Sequence, residues 1–582
     1  MSFEFSRRCL LRAAAAFACG LLTWNVGPAE IARAADPACE ALLQEQLAAG
    51  EFAPAIKNAE AAPPKQRDRW LSSIAAAQAG AGEKSGSLST AGQIHDDVVR
   101  GQTLGEIGRQ PAPGAQGGAA GADFQSLIEL ITSTVAPTTW DEVGGPGSIQ
   151  QYANGVLVDT AGVVQRIESE GRTHSRLAEL RRSAQRALAG ADVRQESPLR
   201  KISLPRLERE IQLRLAAGRP LDEELQVLAG LQRIKYVLVY PESGDVVLAG
   251  PAGDWKLDRE NRLVSAASGR PLVQLEDLVL LLRHAYGPSH GEFGCSIDPT
   301  QAGLAKVQAF LAESSKKPIK AGSRGKWLEE LRSQLGRQKI RIFGIDPGSR
   351  VARTIVEADY RMKLVGIGLE DGVLDVPSYL EMLRVPAGQA PPPMDVLRWW
   401  FTLNYDAVRA SADRDAYELS GQGVKVLSEN ELLAAGGKQI HTGQSDELNS
   451  QFARNFTKHF AALAAKYPIY ADLQNIFDLA LVASLIKAEG LADRAGWHML
   501  AFNDPRQLPL SGGQTPQEVD TVINHRVVNR IHVVAAVSGG VTADCRSLVK
   551  AGAIQTDSQG ALASQHGHAK PESLPHANWW WD

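Results

Sequence analysis

Two places in this sequence carry residue types whose spacing could support chemistry. His284, His290 and Cys295 lie close together along the chain, and a histidine beside a cysteine can activate a thiolate nucleophile. Asp346 begins the segment Asp-Pro-Gly-Ser, where a carboxylate could act as an acid or base. One hypothesis is therefore a hydrolase that uses Asp346 or the His284–Cys295 pair. The favoured alternative is a core thiol and a turn carboxylate, because closeness in sequence is poor evidence for a catalytic pair.

Other catalytic motifs that can be recognised by spacing are missing from the sequence. We predict no nucleophile elbow, and the chain holds no His-Glu-x-x-His, no Walker loop and no Cys-x-x-Cys. His566, His568 and His576 lie in a polar tail, where three loosely spaced histidines do not make a closed metal site. We expect no cofactor and no metal, and the sequence favours a protein without catalytic activity.

Asp346 lies in a stretch that predicts a strand, a turn, a helix and a second strand. Lys339 to Gly344 becomes fully apolar, as a strand entering a core does, and the Asp-Pro-Gly-Ser segment has turn residues. Ser349 or Asp346 could cap the helix that follows. Apolar residues at helical spacing give that helix one buried face, and Leu364 to Leu369 predicts the second strand.

Gly344 to Val351 resembles the first catalytic strand of the Holliday-junction resolvases, and this resemblance implies that Asp346 binds a metal. That fold places a second strand directly after the turn, whereas a helix is predicted here, and no set of further acidic residues follows. The alternative that Asp346 belongs to a turn that caps a helix is favoured.

Length and charge limit the classes of protein that fit. The chain has 582 residues, enough for several domains, and a net charge of −4. Without residues 1–34, which hold four basic and two acidic side chains, the net charge becomes −6. A chain of this charge has no electrostatic preference for nucleic acid, whose binding depends on neutralising phosphates.

The N-terminus predicts export from the cytoplasm. Arg7 and Arg8 lie in a segment that resembles a twin-arginine motif, and Ala13 to Trp24 form an apolar region. Ala32 and Ala34 make a small-x-small cleavage site, so residues 1–34 are assigned as the signal. An ordinary Sec leader and a lipoprotein site at Cys19 remain open. No later apolar run is long enough to span a membrane, so we expect a periplasmic or envelope protein without a membrane span.

Three cysteines follow this leader: Cys39, Cys295 and Cys545. An odd number does not make a disulfide framework. A single bridge between Cys295 and Cys545 and two buried free thiols both remain open.

The N-terminal half predicts a series of small units. Residues 35–100 resemble helix pairs of the tetratricopeptide kind, and residues 101–122 are predicted to be a flexible linker. Residues 123–190, with Trp140 and the segment Gly-Gly-Pro-Gly, resemble the small α/β modules that precede the pore of secretins. A one-off α/β subdomain is the alternative. Residues 191–230 are predicted to be a helical connector.

The remaining chain predicts a mixed α/β, multidomain fold of the α+β kind. Residues 231–390 form the predicted core, with a hairpin near 236–249, helices and the stretch around Asp346. Residues 391–550 predict a four-stranded antiparallel meander, an αα-hairpin and a last strand that ends at Ser538 to Gly540. Residues 551–582 are polar and are predicted to be disordered.

Several motifs together resemble one known family. They are the segments 236–255, Phe293 to Pro299, Val356 to Lys363 and Arg398 to Phe401. On these residues the chain is identified as a member of a planctomycete family of exported proteins, domain of unknown function 1598, over about residues 120–545. The resemblance implies an envelope setting and supplies no catalytic residues.

The favoured function is a non-catalytic periplasmic protein that binds other envelope proteins or itself. Trp579, Trp580 and Trp581 end the chain, and they either anchor a partner or dock on their own domain. A protein that binds a glycan or small ligand through Trp255, Trp399 and Trp400 is a further alternative.

Overall fold

The fold is mixed α/β, as the sequence predicts. The computed structural model describes residues 37–109, 148–152, 155–159, 192–258, 260, 262–288, 291–314, 316, 324–374, 376–384, 394–528, 531–571 and 578–582. The described helices are α1 (Pro37–Ala49), α2 (Phe52–Glu60), α3 (Pro64–Gly80), α4 (Lys84–Gly92), α5 (Asp97–Arg109), α6 (Leu204–Ala216), α7 (Glu223–Gln226), α8 (Leu275–Tyr286), α9 (Gln301–Ser314), α10 (Arg324–Leu335), α11 (Arg350–Gly366), α12 (Tyr379–Met382), α13 (Glu447–Lys458), α14 (Phe460–Lys466), α15 (Pro468–Ala488), α16 (Leu491–Arg494), α17 (Leu500–Asn503), α18 (Arg546–Val549) and α19 (Ala561–His568).

The strands form two large sheets and two short hairpins. The described strands are β1 (Ser148–Tyr152), β2 (Gly155–Asp159), β3 (Ser197–Ser203), β4 (Tyr236–Tyr240), β5 (Asp245–Ala252), β6 (Trp255–Leu257), β7 (Leu263–Ser265), β8 (Glu292–Asp298), β9 (Gln338–Phe343), β10 (Met394–Asn404), β11 (Ala407–Ala410), β12 (Ala416–Ser420), β13 (Gly423–Leu433), β14 (Gln439–His441), β15 (Glu518–Val519), β16 (Ile523–Val528), β17 (Ile531–Asp544), β18 (Gln555–Thr556) and β19 (Trp580–Trp581). Sheet A has the order β18-β11-β12-β4-β5-β3-β19, and sheet B has the order β14-β13-β10-β17-β8-β9-β15 with β16 on β17.

The N-terminal helices confirm the helical prediction and extend beyond it. Helices α1 to α5 surround a small apolar core that includes Trp70, Leu71 and Ile74. Helix α5 covers residues 97–109, so the first part of the predicted linker 101–122 is wrong, and the rest lies outside the described residues. Of the predicted secretin-like module 123–190, the described residues contain little more than the β1–β2 hairpin. Strand β2 includes the predicted strand Val156–Val158.

The predicted helical connector 191–230 is partly wrong, because β3 precedes helix α6 and pairs with β5. The buried side chains of β3 include Ile202, which belongs to the main apolar core. Strand β3 therefore joins the large apolar core, although the segment around it is rich in basic and polar side chains. Its pairing with β5, which lies further along the chain, buries it.

The four strands predicted as a meander are two long strands that cross between the sheets. Asn404 pairs with Gly423 in sheet B, and Ala407 pairs with Ser420 in sheet A, in one continuous antiparallel register. The two middle strands pair antiparallel as predicted, whereas the first strand pairs with the fourth and not with the second. This bent hairpin, residues 394–433, links the two sheets.

The central stretch begins as predicted and ends differently. Strand β9 leads through the turn to α11, where the Ser349 hydroxyl accepts a hydrogen bond from the Ala352 amide at 3.1 Å and caps the helix. The predicted strand Leu364–Leu369 is wrong, because the Ile367 amide still donates to the Lys363 carbonyl at 3.1 Å. A short apolar run does not distinguish a strand from a buried helix end.

Strand β17 continues through the predicted turn at Ser538 to Gly540. Gly539 pairs with Trp399 on one side and Ile297 on the other, so both neighbouring strands approach closely. A Cβ at Gly540 would lie 1.9 Å from the Cys295 carbonyl oxygen. The glycines permit this close approach of backbones, so here they belong to a strand and not to a turn.

Helix α15 lies at the centre of the core and packs against α8, α11 and α14. Within the described residues it is the one helix whose length and composition would allow it to cross a membrane, and 94% of its most apolar window is buried inside the structure. This helix was predicted as the second helix of the αα-hairpin, although no segment long enough to span a membrane was predicted. It is buried on nearly all sides because neighbouring elements surround it.

The chain after residue 551 is ordered where it is described, contrary to the prediction of a disordered tail. Leu562 on α19 packs with Tyr240 and Trp581 on the outer face of sheet A. The Tyr240 hydroxyl donates to the His566 carbonyl at 2.9 Å, and the two rings stack with centroids 4.3 Å apart. Polar composition alone therefore misjudged this segment.

Candidate functional site

A buried ion pair lies between α11 and sheet B. Asp359 and Lys363 are one turn apart on α11, their side chains are fully buried, and the charged atoms are 2.6 Å apart. Lys363 Nζ also donates to the Ile297 carbonyl of β8 at 3.1 Å. Burial raises the pKa of Asp359 to about 6, and Lys363 opposes this rise. This pair fastens the helix to the sheet and has no open side for a substrate.

A second polar cluster joins strands of sheet B. Arg398 lies 3.0 Å from Asp298 and 3.5 Å from Glu431. Glu431 also accepts hydrogen bonds from Ser538 at 3.0 Å and Gln439 at 2.6 Å. Burial raises the pKa of Glu431 and Arg398 opposes it. The carboxylate already has its donors, so the cluster supports the strand order.

The family motifs named above converge on this part of the fold. Asp298, Asp359, Lys363 and Arg398 belong to three of those motifs, and Trp399 is fully buried beside them. A Cβ at Gly366 would lie 2.1 Å from the indole of Trp399. The motifs therefore describe the packing of α11 on sheet B.

The Cys295–His284 pair does not form a catalytic site. Cys295 is 2% exposed, and burial together with Asp359 holds the pKa of its thiol well above the ordinary range. His284 contacts the Phe293 ring edge-on at 5.4 Å and lies 3.4 Å from the Gly291 carbonyl. The thiolate is the nucleophilic form, so a buried thiol of raised pKa is unreactive.

Cys295 and Cys545 are both free and buried. Burial raises the pKa of Cys545 to about 12. Of the two alternatives for these cysteines, the structure has free thiols.

Asp346 belongs to the turn before α11. Its side chain accepts a hydrogen bond from the Gly348 amide at 2.8 Å, and its carbonyl accepts one from the Ser349 hydroxyl at 2.7 Å. The residue is exposed, and neither of the two described cavities includes it. This is the placement of a turn carboxylate.

The prediction of no nucleophile elbow overlooked one Gly-x-Ser-x-Gly spacing, which runs from Gly287 to Gly291. An elbow joins a strand to a helix. This segment instead follows helix α8 and precedes strand β8. Ser289 and His290 lie outside the described residues, so the motif contributes no site geometry.

One partly buried arginine joins three helices of the core. Arg350 on α11 forms ion pairs with Asp277 on α8 and Asp472 on α15. Burial raises the pKa of Asp277, and Arg350 opposes the rise. Both carboxylates are at most 3% exposed, so the arginine neutralises charges that would be costly to bury alone.

The tryptophans proposed for partner or glycan binding are mostly buried. Trp579 and Trp581 are 6% and 9% exposed, and Trp580 and Trp581 pair with Ile202 and Lys201 of β3. The chain therefore takes the second alternative above, in which these residues dock on their own domain. Trp255 and Trp399 are 4% and 0% exposed and Trp400 is half-buried, so these three indoles do not form an exposed platform for a glycan.

One cavity lies where the N-terminal helices meet α6. Its volume is about 570 Å³, and Arg67, Leu71, His95, Arg209 and Leu213 are among its lining residues. A second cavity of about 260 Å³ shares His95, Arg206 and Arg209 with it. This arginine cluster was not predicted from the sequence. The basic composition of residues 195–222 was the one signal that could have indicated it.

Within the described residues, no group of three or more His, Cys, Asp and Glu side chains could hold a metal ion. This finding agrees with the geometry above, where the buried carboxylates are paired with arginine or lysine.

Comparison with known proteins gives one match. Residues 295–379 match a family model described as "Protein of unknown function (DUF1598)". The match begins in β8 and ends at the start of α12, so it covers the ion pair between α11 and sheet B. No curated protein and no solved structure matches the chain. Residues 295–379 are therefore similar to a domain of unknown function.

Proposed function

We propose that this chain is an exported, non-catalytic protein of the cell envelope that acts by binding other envelope proteins or itself. The export part rests on Arg7, Arg8, Ala32 and Ala34, which lie outside the described residues. A planctomycete origin and a secretin-like module at 123–190 belong to the same proposal. The net charge of −4 gives no support to a nucleic-acid partner.

The observation that carries the proposal is the arrangement of the N-terminal helices. Helices α1 to α5 have an apolar core of their own, and α5 packs against α6 of the larger body. At the other end, α1 packs against α2 and α3 and exposes 44% of Leu42. Stacked helix pairs present extended surfaces of this kind to protein partners.

The catalytic and glycan-binding alternatives receive less support. Cys295 is a buried thiol of raised pKa, and Asp346 belongs to a turn. The glycan alternative needs exposed indoles, whereas Trp255 and Trp399 are buried.

The test is site-specific photo-crosslinking of the full chain in cells. One variant carries the photoreactive residue at Leu42, and the control carries it at Leu374, which is fully exposed and lies outside the helical array. We expect one discrete adduct from position 42, recovered from the envelope fraction, and none from position 374. Equal labelling at both positions, or no adduct at position 42, would overturn the proposal.

A further inference from the structure

The junction of α8, α11 and α15 buries two carboxylates on a single arginine. Arg350 of α11 pairs with Asp277 of α8 through one nitrogen of its guanidinium and with Asp472 of α15 through another. The side chains of Asp277 and Asp472 are 2% and 3% exposed, and that of Arg350 is 19% exposed. With both carboxylates ionised, this triad carries a net charge of −1 inside the core.

The second oxygen of each carboxylate has no hydrogen-bond donor. Within the described residues, Oδ1 of Asp277 and Oδ1 of Asp472 are buried and accept no hydrogen bond. A buried charged acceptor without a donor is unfavourable, because it has lost its water and gained no partner. A proton on one of these oxygens would bring the charge of the triad to zero and would supply a donor at the same place.

The surroundings of Asp277 favour such a proton. Burial raises the pKa of its carboxyl, Arg350 opposes the rise, and the negative charges of Asp472 and Glu276 add to it. Glu276 lies 4.0 Å from Arg350 and is 27% exposed. It therefore places a third carboxylate at the edge of the triad.

The charged groups on neighbouring elements are engaged with other partners. Arg270, which precedes α8, attracts Asp472 but donates its hydrogen bonds to uncharged groups. Helices α7 and α17 also pack on α8. Both glutamates of α7 are attracted by Arg194, and α17 has no ionisable side chain. Within the described residues, Arg350 is the one cation that contacts both buried aspartates.

We propose that this triad is a pH-sensitive latch, in which one proton held by the two aspartates keeps α8 fastened to α11 and α15. When the pH rises, the proton passes to solvent, and two negative carboxylates then share one guanidinium. Their mutual repulsion and the cost of burying the extra charge loosen α8. The inference goes beyond the protein-binding function proposed above and does not depend on it.

The raised pKa of Asp277 gives the direction of the effect. A carboxyl whose pKa is higher in the folded chain than in the unfolded chain binds its proton more tightly when folded. The stability that this proton contributes is fully present below the ordinary pKa of aspartate, about 4, and is lost as the pH rises through the raised pKa. Each pKa unit of the rise corresponds to a tenfold change in the equilibrium between closed and open junction.

The test is hydrogen exchange of the full chain between pH 5 and pH 9, measured by mass spectrometry and corrected for the pH dependence of intrinsic exchange. We expect amide protection in α8 to fall by about tenfold or more over this range. Strands β4 and β5 of sheet A serve as the internal reference and should change less. Unchanged protection in α8, or an equal loss in β4 and β5, would overturn the proposal.

Two substitutions separate this latch from the other buried acids. Asp277→Asn keeps the shape of the protonated carboxyl and brings a donor, and Asp472→Asn leaves Arg350 with one buried carboxylate. In both variants the fall in α8 protection should disappear, and if one of them does not fold, the other still tests the proposal.

The matched control is Glu276→Gln, which removes a partly exposed carboxylate from the same helix and should keep most of the fall in protection. If the fall persists in Asp277→Asn and Asp472→Asn, or is lost to the same extent in Glu276→Gln, the two aspartates do not hold the proton and the proposal is wrong.

Discussion

Gly539 of β17 lies so close to Trp399 of β10 that a Cβ built on the glycine would be 1.6 Å from the Trp399 carbonyl oxygen. Its φ of 140° also lies outside the usual range of residues with a side chain. Gly539→Ala should therefore prevent folding or cost several kcal/mol, about 3 or more, as for other strained backbone positions. The free energy of unfolding in urea measures this.

The matched control is Gly567→Ala. Gly567 lies in helix α19, and a Cβ there would meet no atom within 4 Å. This substitution should stabilise the chain by about 0.5–1 kcal/mol, because alanine favours the helix. Similar effects at the two positions would contradict the strand contact.

The Asp359–Lys363 pair predicts opposite results for single and double replacement. Lys363→Met leaves a buried carboxylate alone and should cost about 3–5 kcal/mol of unfolding free energy. The double variant Asp359→Leu with Lys363→Met should recover most of this loss, because buried pairs can be replaced by apolar residues. Urea unfolding of the three chains is the measurement, and a double variant no better than the single one would contradict it.

The same pair predicts a pH dependence. The pKa of Asp359 is about 6 in the folded chain and ordinarily 3.8, so the folded state binds the proton more tightly. Its contribution to stability is fully present below about pH 4 and is lost as the pH rises to about 6, by about 2–3 kcal/mol. Other buried acids also contribute, so the test measures the free energy of unfolding of the unchanged chain and of the Asp359→Leu, Lys363→Met chain at pH 4, 5 and 7. The same pH dependence of this free energy in both chains would contradict the prediction.

Arg350 should be among the most sensitive arginines of the core. Arg350→Met leaves Asp277 and Asp472 buried without their cation, at a cost of about 3–5 kcal/mol. The loss should shrink as the pH falls, because burial raises the pKa of Asp277 and its carboxyl then becomes protonated. Arg506→Met, whose side chain is 92% exposed, is the control and should change stability by less than about 0.5 kcal/mol.

The last residues should stabilise sheet A. Arg200 is fully buried and donates to both carboxylate oxygens of Asp582 at 2.8 Å. Asp582→Ala should cost about 1.5–3 kcal/mol, as expected for a charge-assisted hydrogen bond, and should speed amide exchange in β3. Asp520→Ala at an 86% exposed position should have no such effect. Unchanged exchange in β3 would mean that β19 is dispensable.

The proposed export can be tested through residues 1–34. Replacing Arg7 and Arg8 by lysines should retain the chain in the cytoplasm if the twin-arginine route is used, as fractionation would show. Continued export would favour the Sec route, and loss of lipid labelling in Cys19→Ser would favour the lipoprotein alternative.

The elements that the sequence predicted well are those with a local signal. The helix after Asp346 has both a cap at Ser349 and a regular apolar face, and the hairpin β4–β5 has a glycine loop. The wrong predictions concern strands whose pairing partners lie far away in the sequence. Ser538 to Gly540 have turn composition, yet they pair with strands β10 and β8.

The candidate site was harder to predict than the fold. Cys295, His284 and Asp346 attracted attention because their residue types are reactive, and the structure assigns them to packing and turns. The arginines of the junction cavity come from separate segments, so their spacing along the chain carries no motif. Only folding brings Arg67 and Arg209 to one wall.

The pairing of β3 with β19 means that sheet A can be completed only late in synthesis of the chain. Arg200 and Asp582 are 382 residues apart, so sheet A is incomplete until nearly all of the described chain has left the ribosome. Contacts of such long range make folding slow, because a very large loop must close first. If residues 1–34 direct export of folded chains only, as proposed, this pairing would delay export until β19 is in place.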